Sequence, residues 1–287
     1  MSIFGVDCVS SDKDLFWRGQ PQVRNSDLDC SCGKATSLMT ADLVEKKLIT
    51  TTQLRDNVFK YTKRVSIELS NLCNYAGLHK KCPLSLENQH IILSKKVVQK
   101  VLDCLGRYNF EGTIAFHTYN EPLIDPRLFS FVCYAKEKCP QSCIMIMSNG
   151  YYFNQTLADE LVELGVGSIY ITTYGQREHE RLSKIKVDIP YVIQEGILDD
   201  RLNLYCRKHS GQENYRPCYA PLGEIIIARD GRVNLCCLDW KREHCFGDLH
   251  TENLEDVILQ SEMVNVYNLL SNGKRIFNIC KACGWSR

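Results

Sequence analysis

Four cysteines, Cys218, Cys236, Cys280 and Cys283, stand in the C-terminal part of the chain as two distant singles followed by a C-x2-C pair. This feature most restricts the fold, because soft ligands spread along the sequence must be brought to one point to hold zinc or an iron–sulfur group. The chain has 16 cysteines in 287 residues, and a chain of that length can bury an adequate core without disulfide staples. No basic and then apolar leader opens the sequence, so the thiols are expected to be reduced, cytoplasmic and available to metal. With 35 basic and 34 acidic residues the formal charge is +1, which gives no footprint for duplex nucleic acid. No run of about 18 apolar residues suggests a membrane span.

Residues 1–60 read as an N-terminal extension, loop-like around Trp17 and Cys30, with a helix expected from Thr40. From Val65 short apolar strands alternate with helical stretches, the rhythm of parallel βα units. Strands are expected at 64–69, 113–117, 143–147, 168–173 and 189–194, with a sixth at 202–206. Helices are expected near 94–107, 127–138, 155–164 and 178–185, the first with Val97, Val98, Val101, Leu102 and Leu105 on one face and the third capped at Asn154. After Pro217 comes a hairpin turning at Asp230-Gly231, then a helix over 254–271 ended by Asn272-Gly273. The expected division is an extension over 1–60, a barrel over 61–210 and a separate C-terminal module over 211–287.

Reactive groups of a parallel α/β barrel gather on loops at the C-terminal ends of its strands, where Cys73, His79 and Cys82 fall. The segment from Glu68 to Asn74, with the later Cys82-Pro83, resembles the cluster loop of radical S-adenosylmethionine (SAM) enzymes. That family holds a [4Fe–4S] cluster on C-x3-C-x2-C and leaves one iron open for SAM. Here the loop reads C-x5-H-x2-C, so the resemblance makes His79 the third ligand beside Cys73 and Cys82, unless Cys30 or Cys32 completes the set. Imidazole would raise the cluster potential. At the second strand end, Asn120-Glu121-Pro122 is similar to the family's segment that holds the SAM amino group, with Glu121 as the matching acid. At the third, Ser148-Asn149-Gly150 is similar to its (S/T)-N-G turn. The fold implied is α/β, a partial (β/α)6 barrel with a small β-hairpin-plus-helix iron–sulfur module.

The stretch from Cys218 through Gly231 and Cys236 to Cys280-x2-Cys283 resembles the twitch module, the short form of the SPASM domain. The resemblance makes these four cysteines ligands of an auxiliary [4Fe–4S] cluster. A zinc ribbon would use the same thiolates. Cys237 and Cys245 lie near but do not fit the spacing. Cys104, Cys133, Cys139, Cys143 and Cys206 read as small apolar residues on helices and strands.

The implied activity is reductive cleavage of SAM and hydrogen abstraction from a small polar substrate: a sugar, an aminocyclitol or a nucleotide-linked sugar. Oxidation, epimerisation and sulfur insertion all remain open, with Cys237, Cys30 and Cys32 as hydrogen-donor candidates if the reaction is an epimerisation. Tyr174 and Arg201 are candidate pocket residues. The implied cofactors are two [4Fe–4S] clusters and SAM, and the implied partner is an external electron donor such as flavodoxin or ferredoxin. A maturase of a precursor peptide and a non-catalytic zinc or iron–sulfur scaffold are the alternatives.

Overall fold

The structure, a computed structural model, describes residues 48–78, 82–196 and 217–283. The helix expected from Thr40 and the strand expected at 202–206 lie outside the described residues. So does the boundary drawn near residue 210. Ahead of the sheet a short helix, α1 (Thr51–Asp56), starts in a capping box in which Thr50 and Gln53 each accept the other's backbone N–H. The chain before α1 docks on the C-terminal part of the chain, through two 2.8 Å hydrogen bonds between the Ile49 backbone and the Asn268 amide.

The βα alternation then produces β1 (Arg64–Ile67), α2 (Lys95–Arg107), β2 (Thr113–Ala115), α3 (Leu128–Lys138), β3 (Cys143–Ser148), α4 (Gln155–Glu163), β4 (Ser168–Thr173), α5 (Gln176–Leu182) and β5 (Tyr191–Glu195). The apolar stripe on α2 is fully buried as expected, and Ser94 caps the helix at Val97 N. Asn154 caps α4 at Leu157 N. The helix expected at 178–185 begins and ends earlier, over 176–182.

The C-terminal part contributes α6 (Ala220–Gly223), β6 (Glu224–Ile227), β7 (Arg232–Asn234), β8 (Cys245–Asp248), α7 (Leu254–Leu259), α8 (Ser261–Ser271) and α9 (Asn278–Ala282). The hairpin expected to stand in a module of its own joins the main sheet: β6 pairs in parallel with β1 over four residues. The sheet order is β5-β4-β3-β2-β1-β6-β7-β8, with six parallel strands followed by two antiparallel ones. The hairpin turn at Asp230-Gly231 is as expected. Gly231 has φ +83°, and a Cβ there would lie 2.6 Å from the His250 ring, so glycine is required. β8 has no counterpart among the strands expected from the sequence. The helix expected over 254–271 breaks at Gln260, whose extended backbone (ψ 145°) frees its amide to donate to the Phe246 carbonyl on β8.

Strand alternation gives the sheet two unlike faces. Val65, Ile67, Ile144, Ile146, Ile169, Ile171, Ile225 and Ile227 pack with the helices in one apolar core. The alternate positions, among them Arg64, Ser66, Met145, Met147, Tyr170 and Thr172, form the opposite face. There Arg64 binds Glu224 in bidentate fashion (2.9 and 2.7 Å), Ser66 donates to Glu224 (2.7 Å), and Gln194 donates to Thr172 (3.1 Å).

Candidate active site

The loop that carries Cys73 leaves β1 and returns to α2, and it is tied at its base. Asn71 N donates to Ile91 O (3.1 Å) and Leu93 N to Leu69 O (2.9 Å). The Asn71 side chain donates to Glu87 (2.9 Å) and accepts from Ile91 N (2.9 Å). Arg127, held by Asp125, reaches both strands of this base at Leu69 O (3.2 Å) and Leu93 O (2.7 Å). These bonds fix the two ends of the loop. Cys73 and Cys82 are both half-buried. Burial pushes the Cys73 thiol up to about 11, against N–H donation from Tyr75 and Asn149 that favours the thiolate. His79 lies outside the described residues, as do Cys30, Cys32, Cys206 and Arg201.

The three expected motifs do meet. Glu121 N donates to Leu72 O (2.9 Å), joining the Asn-Glu-Pro segment to the residue before Cys73. The Glu121 carboxylate accepts from Ser148 Oγ (2.7 Å), Asn149 N (2.7 Å) and Leu123 N (3.0 Å). Asn149 in turn donates to Asn74 Oδ1 (2.8 Å) and more weakly to Cys73 Sγ (3.8 Å). Gly150 has φ +75°, and a Cβ there would stand 2.6 Å from Ile171, so the turn admits no side chain.

The Glu121 carboxylate, expected to face SAM, is 2% exposed and is taken up by three of the about four donors it can accept. It acts in the described residues as a clamp between strand ends. Burial raises its pKa, and the three donors oppose that rise. Asn120, also 2% exposed, closes its own turn through Phe116 O (3.2 Å) and Thr118 N (3.3 Å). These side chains build the floor of the site. Tyr174 packs beside Tyr75 at a ring separation of 5.6 Å, and Tyr75 donates to Glu178 (2.5 Å).

The second site is of a different kind. Cys218, Cys236, Cys280 and Cys283 line one cavity with Leu235, Leu270 and Ile279. Cys218 is held by its N–H on Leu270 O (2.9 Å), Cys236 follows β7, and Cys280 sits on α9. Burial drives the Cys236 thiol well up and the Cys280 thiol to about 12. Among the described residues no three Cys, His, Asp or Glu side chains converge closely enough for a single ion. Thiolates gathered on one cavity are the donor type of both zinc and iron–sulfur centres. Cys237 lines the same cavity, whereas Cys245 donates away from it to Asn234 (3.1 Å). Cys104, Cys139 and Cys143 are buried as expected; Cys133 is exposed, because it falls on the outer side of α3.

A contact among the described residues joins the two sites. Tyr119, next to Asn120, donates its hydroxyl to the backbone carbonyl of Cys237, next to Cys236. Nothing in the spacing of these residues pointed to it.

The architecture, six parallel strands in one sheet followed by an antiparallel hairpin and a cysteine-lined C-terminal cavity, is the fold expected from the resemblance to radical SAM enzymes. Residues 218–284 match the SPASM family, described as an iron–sulfur cluster-binding domain. Among individual proteins, the chain is 21% identical over 235 residues to the S-adenosyl-L-methionine-dependent 2-deoxy-scyllo-inosamine dehydrogenase of Niallia circulans, over 78% of this chain and 93% of that protein. It superposes on the crystal structure of BtrN in complex with AdoMet and 2-DOIA with a TM-score of 0.66, at 20% identity, covering 78% of this chain and 93% of the other. A structure of anSMEcpe with bound AdoMet gives a TM-score of 0.52 at 13% identity, over 77% and 83% of the two chains. No helix among the described residues is long and apolar enough to cross a membrane.

Proposed function

We propose that the protein is a radical SAM dehydrogenase that oxidises a hydroxyl-bearing carbon of a small polar substrate, an aminocyclitol or sugar. The observation that carries this reading is the Tyr119–Cys237 contact, which connects the strand-end floor expected to bind SAM with a second cavity lined by Cys218, Cys236, Cys280 and Cys283 together with Cys237 itself. Cys73 and Cys82 would hold the first cluster with His79 as third ligand, and Cys218, Cys236, Cys280 and Cys283 the second. When bound, the clusters and SAM supply the electron, the hydrogen abstraction and the acceptor for the electron that the substrate gives up.

The chain's own residues do the rest. Glu121 holds the strand ends together so that SAM meets backbone groups in fixed positions. The polar sheet face of Arg64, Glu224, Ser66, Tyr170, Thr172 and Gln194 offers paired donors and acceptors of the kind that orient hydroxyls and amines. An external low-potential donor such as flavodoxin or ferredoxin would complete the partners, and the division at about residue 210 would be one of function along a shared sheet, because β6 pairs with β1.

Anaerobic reconstitution tests the reading. It should give about eight irons per chain, from two four-iron clusters. Reduction with dithionite should release 5′-deoxyadenosine, and aminocyclitols should yield a carbonyl product two mass units lighter, with about one 5′-deoxyadenosine formed per turnover. Zinc in place of iron, with no SAM cleavage, overturns it.

A further inference from the structure

Among the described residues that line the second cavity, Arg275 is the one charged side chain; the rest are cysteines and apolar groups. It is 7% exposed. It is put there by the local backbone. α8 ends in a Schellman motif, with Gly273 at φ +80°, Gly273 N donating to Leu270 O (3.0 Å) and Lys274 N to Leu269 O (2.8 Å). This reversal delivers the next residue, Arg275, against Pro217 O (3.4 Å), one residue before Cys218. Leu270, whose carbonyl holds Cys218 N, is part of the same motif, so the arginine and that cysteine share one support.

We infer that Arg275 sets the reduction potential of the group held by the four cysteines, keeping it high enough to accept an electron. This rests on the iron–sulfur reading of that cavity. A cluster bound by four thiolates is anionic and gains one more negative charge on one-electron reduction. A fixed cation in an apolar surround favours the more negative state, and water cannot screen it there. Its removal should lower the potential. Arg275 touches neither substrate nor SAM on this account; it acts through the cluster.

The test is a redox titration followed by electron paramagnetic resonance on the full-length, anaerobically reconstituted protein, with a Cys73→Ala variant to identify the barrel cluster's signal. Arg275→Gln should keep the parent's iron, yet at a fixed potential its second cluster should show a reduced-to-oxidised ratio at least about tenfold lower, about 59 mV for a one-electron couple. Arg275→Lys should recover most of that shift, and the barrel cluster should not move. A midpoint for Arg275→Gln within about threefold of the parent ratio, with iron retained, overturns the inference and leaves the iron–sulfur reading standing. Zinc in the parent overturns the reading itself and the inference with it. Should Arg275→Gln lose iron, Arg275→Met takes its place under the same criterion. Iron lost from both neutral variants but kept in Arg275→Lys supports a requirement for charge. Iron lost from all three overturns the inference in favour of packing.

Discussion

The two sites are built on opposite principles. The strand-end site is polar and cross-braced, with Glu121, Ser148, Asn149 and Asn74 linked in one hydrogen-bonded chain to Cys73 and with its loop base pinned by Asn71 and Arg127. The second is an apolar cavity lined, among the described residues, by five cysteines and one guanidinium. A cofactor that must come and go needs backbone groups held in position around an opening, whereas a fully ligated cluster needs enclosure and little else. Positioning is therefore expected to cost stability when it is cut at the first site. At the second, loss of ligands should cost chemistry.

The largest effect should come from Cys280→Ala/Cys283→Ala. This variant should retain about half the iron and still release 5′-deoxyadenosine, while product falls below detection. Full product formation would break the comparison by making the second site dispensable. Next in size is Arg229→Ala. Arg229 is 3% exposed and binds the buried Glu68 at 2.9 and 3.0 Å, joining the ends of β1 and β6. Burial raises the pKa of Glu68 and lowers that of Arg229, and their mutual attraction opposes both shifts. Leaving Glu68 unpaired should cost about 3–5 kcal/mol in denaturant unfolding, and adding Glu68→Met should restore most of it.

Glu121→Ala sharpens the account of the first site. It orphans the Ser148, Asn149 and Leu123 donors, so a loss of about 1–3 kcal/mol is expected, along with weaker SAM binding. A calorimetric scan unchanged from the parent, with only SAM affinity reduced, would return Glu121 to direct contact with SAM. Smallest is Tyr119→Phe, which should cost about 0.5–1.5 kcal/mol and lower the yield of product per 5′-deoxyadenosine, measured by liquid chromatography of both. An unchanged yield would mean that the sites are not coupled through this contact.

The strand-end motifs were legible in the sequence because each is a short local signal at the end of a periodic apolar run. Their partnership was equally legible, since consecutive strands of a parallel sheet bring their C-terminal ends together. The use of the Glu121 carboxylate was not, because which donors reach a side chain depends on three loops at once. The split of the helix at Gln260 escaped for a similar reason: its side chain is captured by Phe246 of a strand that the sequence did not announce.

By itself the sequence determined the βα alternation, the capped helices, the glycine turn at Asp230-Gly231 and a four-cysteine set in one segment. These depend on side-chain period, backbone freedom and ligand chemistry, all of which act over a few residues. Only the tertiary structure decided that β6 lies beside β1, that Tyr119 reaches Cys237, and that Arg275 turns into the cysteine cavity. Each of these joins residues far apart in the chain. Strand pairing and burial of charge are settled by the free energy of the whole packed sheet, which no local stretch of sequence contains.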